Sequence, residues 1–486
     1  MTTLSISGTR FLADALAPVQ SAVRISYGTR VESIEPMADR AADMDSLMMP
    51  PFSNAHDHGR GLRPLAYGAF DAALEAWVPA TYMTPPTDPY LVAAAAFARM
   101  ARSGIANIVH CHLSRGPEAL ATEARAVKRA AEDIGIRVAF VVPLRDRHRL
   151  VYGPDEGLLS LLSPEDAKAV AEKWLRPIPS IDAQIDNALQ IAAECDSGLF
   201  KVQLGPTGVE RCSSALLSAV ADVSRRTGKR VHTHLLESKY QRQWADAEYP
   251  QGIIRHLADI GFLSPRLTVA HGTWLRPDEC DLLTQHGVTV SVNTSSNLRL
   301  RSGLAPLDTM RSAKTGFAIG LDALAIDDDD DILKEMRLAY LLHRKLGFDE
   351  GLTWREVVAA VTQRGAAVAS VEEVGGRIAV GRPADIVKVD FGAMASDLSD
   401  GLYDPLEVLQ ARGSGRLVCD LIVGGRQVVS GGKVVGIDEE AVTRELHRDL
   451  VAATPALRNG RALLSKYQEA LKRYYLGGCH CHGGSP

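Results

Sequence analysis

Residues 105–144 read IANIVHCHLSRGPEALATEARAVKRAAEDIGIRVAFVVPL. An apolar run rich in branched side chains (105–112) gives way to a segment apolar at helical spacing (123–135) that stops at Gly135. A second apolar run (136–144) follows at once. Strands covered on both faces read as continuous apolar runs, and two of them joined by a helix make a parallel pair with a crossover. The unit recurs downstream in LFKVQLG (199–205), RVHTHLL (230–236), LTVAHG (267–272), VTVSVN (288–293) and GFAIGLD (316–322), with helical stretches such as SSALLSAVADVSRRTG (213–228) between them. Seven or eight such repeats over residues 51–374 predict an α/β fold of the (β/α)8 barrel type.

Outside that block the rhythm changes. Residues 1–50 and 375–437 hold short β-prone pieces cut by glycine, among them VRISYGTRVESI (23–34), GRIAVGRPADIVKVD (376–390) and VCDLIVGGRQVVSGGKVVGI (418–437). These are hairpin signals, and together they predict one small β-sandwich domain assembled from both chain ends. Residues 438–486 read as a helical segment followed by a mobile tail, GGCHCHGGSP (477–486).

The whole chain has 486 residues, about three domains' worth at roughly 150 residues each. Hydrophobic residues make up 46% and charged residues 23%, which supports a full core and excludes wholesale disorder. With 54 basic and 59 acidic residues the net charge is −5, so no basic field points to nucleic acid. No window approaches a membrane span, and the N-terminal residues lack a signal pattern. Seven scattered cysteines argue against a disulfide framework and for a reducing, cytoplasmic setting.

Four places carry candidate chemistry. NAHDH (54–58) puts His56 and His58 two residues apart, on one face of a strand, where both reach a single ion. VHTHLLE (231–237) supplies His232, His234 and Glu237 where a strand runs into a loop. His271 ends LTVAHG, and Asp322 follows the apolar run of GFAIGLD. Each alone reads as an ordinary polar strand end. Their order along the strands is informative, because neutral imidazoles plus one carboxylate with open positions are what a catalytic zinc or iron site requires.

The stretches PPFSNAHDH (50–58), HTHLLE (232–237), VAHGTWLRPDE (269–279), VNTSSNLRLRSGLAP (292–306), IGLDALAIDDDDDILKEMRLA (319–339) and GRIAVGRPADIVKVD (376–390) together resemble the amidohydrolase superfamily. Within it they are similar to the chlorohydrolase and deaminase branch of triazine hydrolases, guanine deaminase and S-adenosylhomocysteine-type deaminases. The resemblance implies a hydrolase of carbon–nitrogen bonds other than peptide bonds, deaminating a nitrogen heterocycle. The alternatives are hydrolysis of an amide, urea, carbamate or halide substituent, and a catalytically silent barrel that serves as a binding module. It implies one divalent metal, zinc or alternatively iron, held by His56, His58, His234 and Asp322. Catalysis would fall to Glu237 as proton shuttle, to Asp322 as acceptor of the water proton, and to His271, which binds the metal or orients its water. His232 then lies one layer deeper, outside the ligand set. A homodimer and a small-molecule substrate complete the picture, with no nucleic acid or membrane partner.

Several other residues compete for roles. Gln203, Asn297, Trp77 and Arg63 are expected to touch substrate, Trp77 and Arg63 from a long aromatic insertion (59–83) that reads as a lid or pocket wall. Lys201 is the one candidate for a metal-bridging carboxylated lysine, but it lies well before its strand's end, and the His-x-x-Glu arrangement resembles the mononuclear branch. His110 and His112 read as pocket lining or core polarity, and Asp327–Asp331 as the charged start of a helix. Thr207 stands where several deaminases carry a histidine after Gly-Pro, which argues away from nucleoside-type recognition.

Overall fold

The computed structural model describes residues 4–37, 44–369, 375–399 and 401–481. Eight parallel strands stand side by side in chain order: β1 (Phe52–Asp57), β2 (Ile105–Cys111), β3 (Arg137–Leu144), β4 (Phe200–Pro206), β5 (Val231–Leu235), β6 (Leu267–His271), β7 (Thr289–Val292) and β8 (Gly316–Ile319). The ring closes at the β8–β1 seam through side chain as well as backbone. Asn54 Oδ1 accepts from the Leu321 amide at 2.9 Å, and the His56 carbonyl accepts from the Asp322 amide at 2.8 Å. The seam therefore fixes the spacing between His56 and Asp322 before any ligand is considered. Helices such as α1 (Leu74–Thr81), α2 (Pro89–Arg102) and α3 (Lys239–Glu248) surround the ring. Alanines 93–96 and Ala98 of α2 are buried in its packing, as expected of a helix pressed close to its neighbours.

The sandwich takes strands from both ends of the chain. One sheet holds Leu4–Gly8, Val23–Tyr27 and Val31–Pro36. The other runs Lys433–Val434, Arg426–Ser430, Val418–Val423, Ile386–Asp390, Ser46–Met49 and Arg10–Phe11. Phe11, Ile25, Met48, Ile386 and Ile422 fill the space between them. The hairpin at 418–430 turns on Gly424 and Gly425, whose φ of 57° and 80° is the tight turn that glycine pairs favour. Barrel and sandwich are joined by a buried two-pronged ion pair. Arg137, the first residue of β3, reaches Asp385 at 2.9 and 3.0 Å, and the Gly424 amide adds a third bond to the same carboxylate.

A helix of 38 residues, α5 (Glu439–Leu476), packs back across α1 and α2. The tail differs from the sequence expectation over Gly477–Cys481. Cys479 and His480 are buried, with His480 Nε2 at 3.0 Å from Gln243 Oε1 and its ring against Tyr240 and Tyr475, so aromatic packing holds this stretch to α3. The remainder of the tail, including His482, lies outside the described residues. All seven cysteines are free thiols. Among the described residues no helix is long and apolar enough to cross a membrane.

Candidate metal centre and active site

The strand ends place six polar side chains around one point. His56 and His58 leave β1 on its lumen side, His234 leaves β5, His271 ends β6, and Asp322 follows β8. Imidazole nitrogens of His56, His58 and His234 lie within 4.8 Å of one another, as do donor atoms of His56, His271 and Asp322. Asp322 Oδ1 sits 3.4 Å from His56 Nε2 and 3.3 Å from His58 Nε2. Glu237 Oε2 stands 3.6 Å from His271 Nε2. Leu236, His271 and Asp322 adopt φ of 49°, 73° and 57°, a left-handed conformation that costs a non-glycine residue about 1–2 kcal/mol. Such strain concentrates where the surrounding structure must aim a side chain.

The orientation of each ring is set from behind. His58 Nδ1 is 2.9 Å from the Cys111 carbonyl, and His271 Nδ1 is 2.8 Å from Asn297 Oδ1. Both partners accept, so each Nδ1 carries the hydrogen and each Nε2 turns a lone pair to the centre. Asp322 is fixed on its other oxygen by the Ser296 hydroxyl, at 2.5 Å. His56 Nε2, His271 Nε2 and Asp322 Oδ1 are buried and have no hydrogen-bond partner among the described residues. Buried polar atoms normally find a partner, so three orphans facing one point fit a ligand set for a divalent cation.

Burial also sorts the charges. It holds the imidazoles of His56, His234 and His271 below the ordinary histidine range, in the neutral form that ligates. Glu237 is pushed well above the carboxylate range by burial first, then by the charges of Asp322, Glu75 and Glu210. Burial works against ionisation of Asp322 too, but the imidazoles packed around it, His56 and His58 first and then His271, outweigh it and shift that carboxyl well below its ordinary value. Two neighbouring carboxyls are thus driven apart, Glu237 upward and Asp322 downward.

The centre forms the floor of a cavity of about 820 Å³. Trp77, Tyr82 and Trp174 line it, with Tyr467 and Tyr475 reaching in from α5 and Thr207 from the end of β4. Of the four residues expected to touch substrate, Trp77 is in the lining. The other three are not. Gln203 is buried in the β4 interior and gives its amide to the Val368 carbonyl at 2.9 Å, outside the cavity lining. Asn297 is wholly buried behind His271, because the short helix that follows β7 (Thr294–Arg299) sets its amide against that ring. Arg63 also falls outside the lining and faces the charges of Asp328, Asp329 and Asp330.

Lys201 is exposed, away from the centre, as its position early in the strand implies. The acidic run does structural work. Asp331 caps α4 (Ile332–His343) on the Leu333 amide, Asp330 pairs with Arg99, and Asp329 pairs with Lys334. Arg299 is likewise committed, to Asp71 at 2.9 Å and Asp328 at 3.3 Å. His110 and His112 line the cavity, and His112 Nε2 is 2.9 Å from Glu123.

Sequence reasoning missed a buried polar wall beside Glu237. Glu75 Oε1 accepts from Tyr152 Oη at 3.1 Å and from the Ser238 hydroxyl. Gln241 accepts from the Glu237 amide at 2.6 Å and reaches toward Glu210 at 3.4 Å. Glu75 sits two residues before Trp77, which was the one available signal.

Comparison with known proteins agrees with this geometry. A 5′-deoxyadenosine deaminase of Methanosarcina barkeri is 28% identical over 424 residues, 86% of this chain and 89% of the relative. An adenosine deaminase from Xanthomonas campestris with bound zinc superposes with a TM-score of 0.74 at 21% identity, over 92% of this chain and 98% of its own. A guanine deaminase from C. acetobutylicum with bound guanine gives 0.69 at 14% identity, over 88% and 100%. The family model for the amidohydrolase family matches residues 47–428, which contain all eight barrel strands, every candidate ligand and the C-terminal part of the sandwich as far as Val428. The chain belongs to the amidohydrolase family.

Proposed function

We propose that the protein is a zinc-dependent deaminase that hydrolyses the exocyclic amine of a nitrogen heterocycle, an aminopurine first among them. The observation that carries this reading is the convergence of three buried donor atoms, unpartnered among the described residues, with the buried carboxyl of Glu237 on the floor of one cavity. His56, His58, His234 and Asp322 would hold the ion, with His271 beside it. Bound there, a divalent ion supplies Lewis acidity and makes a hydroxide nucleophile available near neutral pH.

The chain's own residues do the rest. Glu237, held neutral, gives its proton to the ring nitrogen next to the carbon under attack. Asp322, held ionised with Oδ1 unpartnered, takes a proton from the attacking water. His271 presents an Nε2 lone pair because Asn297 fixes its hydrogen on Nδ1, so in this reading it accepts rather than donates. As the tetrahedral carbon collapses, Asp322 passes the water's proton to the amine, which leaves as ammonia, while the new hydroxyl returns its proton to Glu237 and the ring keeps a carbonyl. The aromatic walls of the cavity suit a flat ring, and its volume leaves room for a substituent of nucleoside size. The similarity to a 5′-deoxyadenosine deaminase supports the same class. Thr207 in place of a histidine requires that the ring be held by other groups than in several deaminases. The seven free thiols support a cytoplasmic setting, and the homodimer is carried over from the resemblance alone.

The test is metal quantification joined to an ammonia-release screen over 5′-deoxyadenosine, adenosine, guanine, pterins, pyrimidines and triazines. One zinc per chain and ammonia from an aminopurine are expected. Glu237→Gln should keep zinc and lose about 10²–10⁴-fold in turnover. Bound zinc with no ammonia from any of these rings would refute deamination.

A further inference from the structure

Three of the histidines at the centre are backed by hydrogen-bond partners of two different kinds. For His58 the partner is a carbonyl oxygen at 2.9 Å, and for His271 the nearest partner is the Asn297 amide oxygen at 2.8 Å, with the Asn293 amide nitrogen farther off at 3.3 Å. For His56 it is another imidazole, with Nδ1 of His56 at 2.8 Å from Nε2 of His232. The two rings lie within 8° of parallel with centroids 5.0 Å apart, the spacing left by an N–H···N bond lying in a shared ring plane. Cys111 Sγ approaches the same Nδ1 at 3.3 Å. His232 is 1% exposed, and its other nitrogen, Nδ1, is buried without a partner among the described residues.

An imidazole partner is amphoteric. With the hydrogen on His56 Nδ1, Nε2 of His56 turns a lone pair toward Asp322, His58 and His234. With the hydrogen on His232 Nε2, the hydrogen of His56 moves to Nε2 and blocks that lone pair. The same three donors, His56 Nδ1, Cys111 Sγ and His232 Nε2, cluster tightly enough to suggest a second metal site. The distance argues against it. At 2.8 Å the two nitrogens are at hydrogen-bond separation, whereas two ligands each about 2.0–2.1 Å from one tetrahedral zinc stand well over 3 Å apart.

We infer that His232 is a positioning residue for the metal centre: it accepts the Nδ1 hydrogen of His56 and so selects the tautomer of His56 that binds metal. This rests on the metal reading above. It gives the second histidine of the β5 pair a role, although it is not a ligand. Its chemistry is that of the outer partners which tune metal-binding histidines, with an imidazole where a carboxylate or carbonyl usually stands.

The test measures zinc affinity of the metal-stripped full chain by competition with a chromophoric chelator, alongside the unfolding midpoint of each metal-free form. His232→Phe keeps a ring but removes the acceptor, and zinc affinity should fall about 10–100-fold. His232→Gln restores a carbonyl acceptor at similar reach and should return affinity to within about threefold of the native chain. Selective ¹⁵N-histidine labelling of the native chain gives a check that needs no variant to fold: with zinc bound, His232 Nε2 should carry no hydrogen. Zinc affinity unchanged in His232→Phe overturns the inference, as does a hydrogen on His232 Nε2 in the zinc form. Equal loss in His232→Gln and His232→Phe overturns it too, since that marks a merely structural role. Two zinc ions per native chain, one of them lost in Cys111→Ser, would make the cluster a second metal site instead. A native chain that binds no zinc sinks the metal reading itself, a result distinct from all of these.

Discussion

Glu335 offers a quantitative check on the electrostatics behind the centre. It lies on α4, is 1% exposed, and accepts from the Ser295 amide through Oε1 at 3.0 Å, while Oε2 has no partner among the described residues. Burial, reinforced by the charge of Asp322, pushes its carboxyl up to about 7 from an ordinary 4.5. The sign follows from where the proton is held more tightly. Below about 4.5 the group is protonated in both folded and unfolded chains, and its full contribution to stability is present. As pH rises the unfolded chain loses the proton first, so stability falls until the folded group ionises near 7. A gap of about two and a half pH units at 1.36 kcal/mol each amounts to roughly 3 kcal/mol. Glu335→Gln mimics the protonated acid in shape and keeps the acceptor for Ser295. In denaturant unfolding of the metal-stripped chain it should match the native protein at pH 4.5 and exceed it by up to roughly 3 kcal/mol at pH 8. Zinc should shrink the difference, because added positive charge nearby favours the ionised form. A stability difference that stays flat from pH 4.5 to 8 would refute the argument.

Two further outcomes are expected. Asn297→Ala strands the buried Nδ1 hydrogen of His271, a loss of about 1–3 kcal/mol in stability, and should weaken zinc affinity or turnover by about 10–100-fold, read by chelator competition and by steady-state rates. Asp385→Ala leaves Arg137 charged and buried between barrel and sandwich, and should lower stability by about 3–5 kcal/mol in denaturant melts, with the centre's metal stoichiometry unchanged in the folded fraction.

The barrel and the centre were legible in the sequence for the same reason. His56, His58, His234, His271 and Asp322 sit at or just past strand ends, where the period of two fixes which way a side chain points and the barrel fixes where it ends. Glu237 follows His234 by three residues and inherits its placement. Gln203 defeated that logic because a strand residue facing inward belongs either to the cavity or to the packed layer below it, and the run of residues around it does not distinguish the two. Asn297 and Arg63 lie on segments whose path depends on partners distant in the chain. The polar wall of Glu75, Tyr152 and Glu210 comes from three separate connections, each unremarkable alone. Tyr467 and Tyr475 enter from a helix with no sequence tie to the barrel at all.

That helix has a consequence for the order in which the site comes into being. Every candidate ligand, from His56 to Asp322, precedes the sandwich strands at 386–434, and α5 follows both. During synthesis a metal centre can therefore close while the cavity above it still lacks the wall that Tyr467 and Tyr475 provide. Tyr475 then locks in by accepting from the Tyr152 amide at 3.2 Å, next to the carboxylate of Glu75. The nascent enzyme would pass through a stage at which the ion is held but the substrate is not yet discriminated, with selectivity the last property the chain acquires.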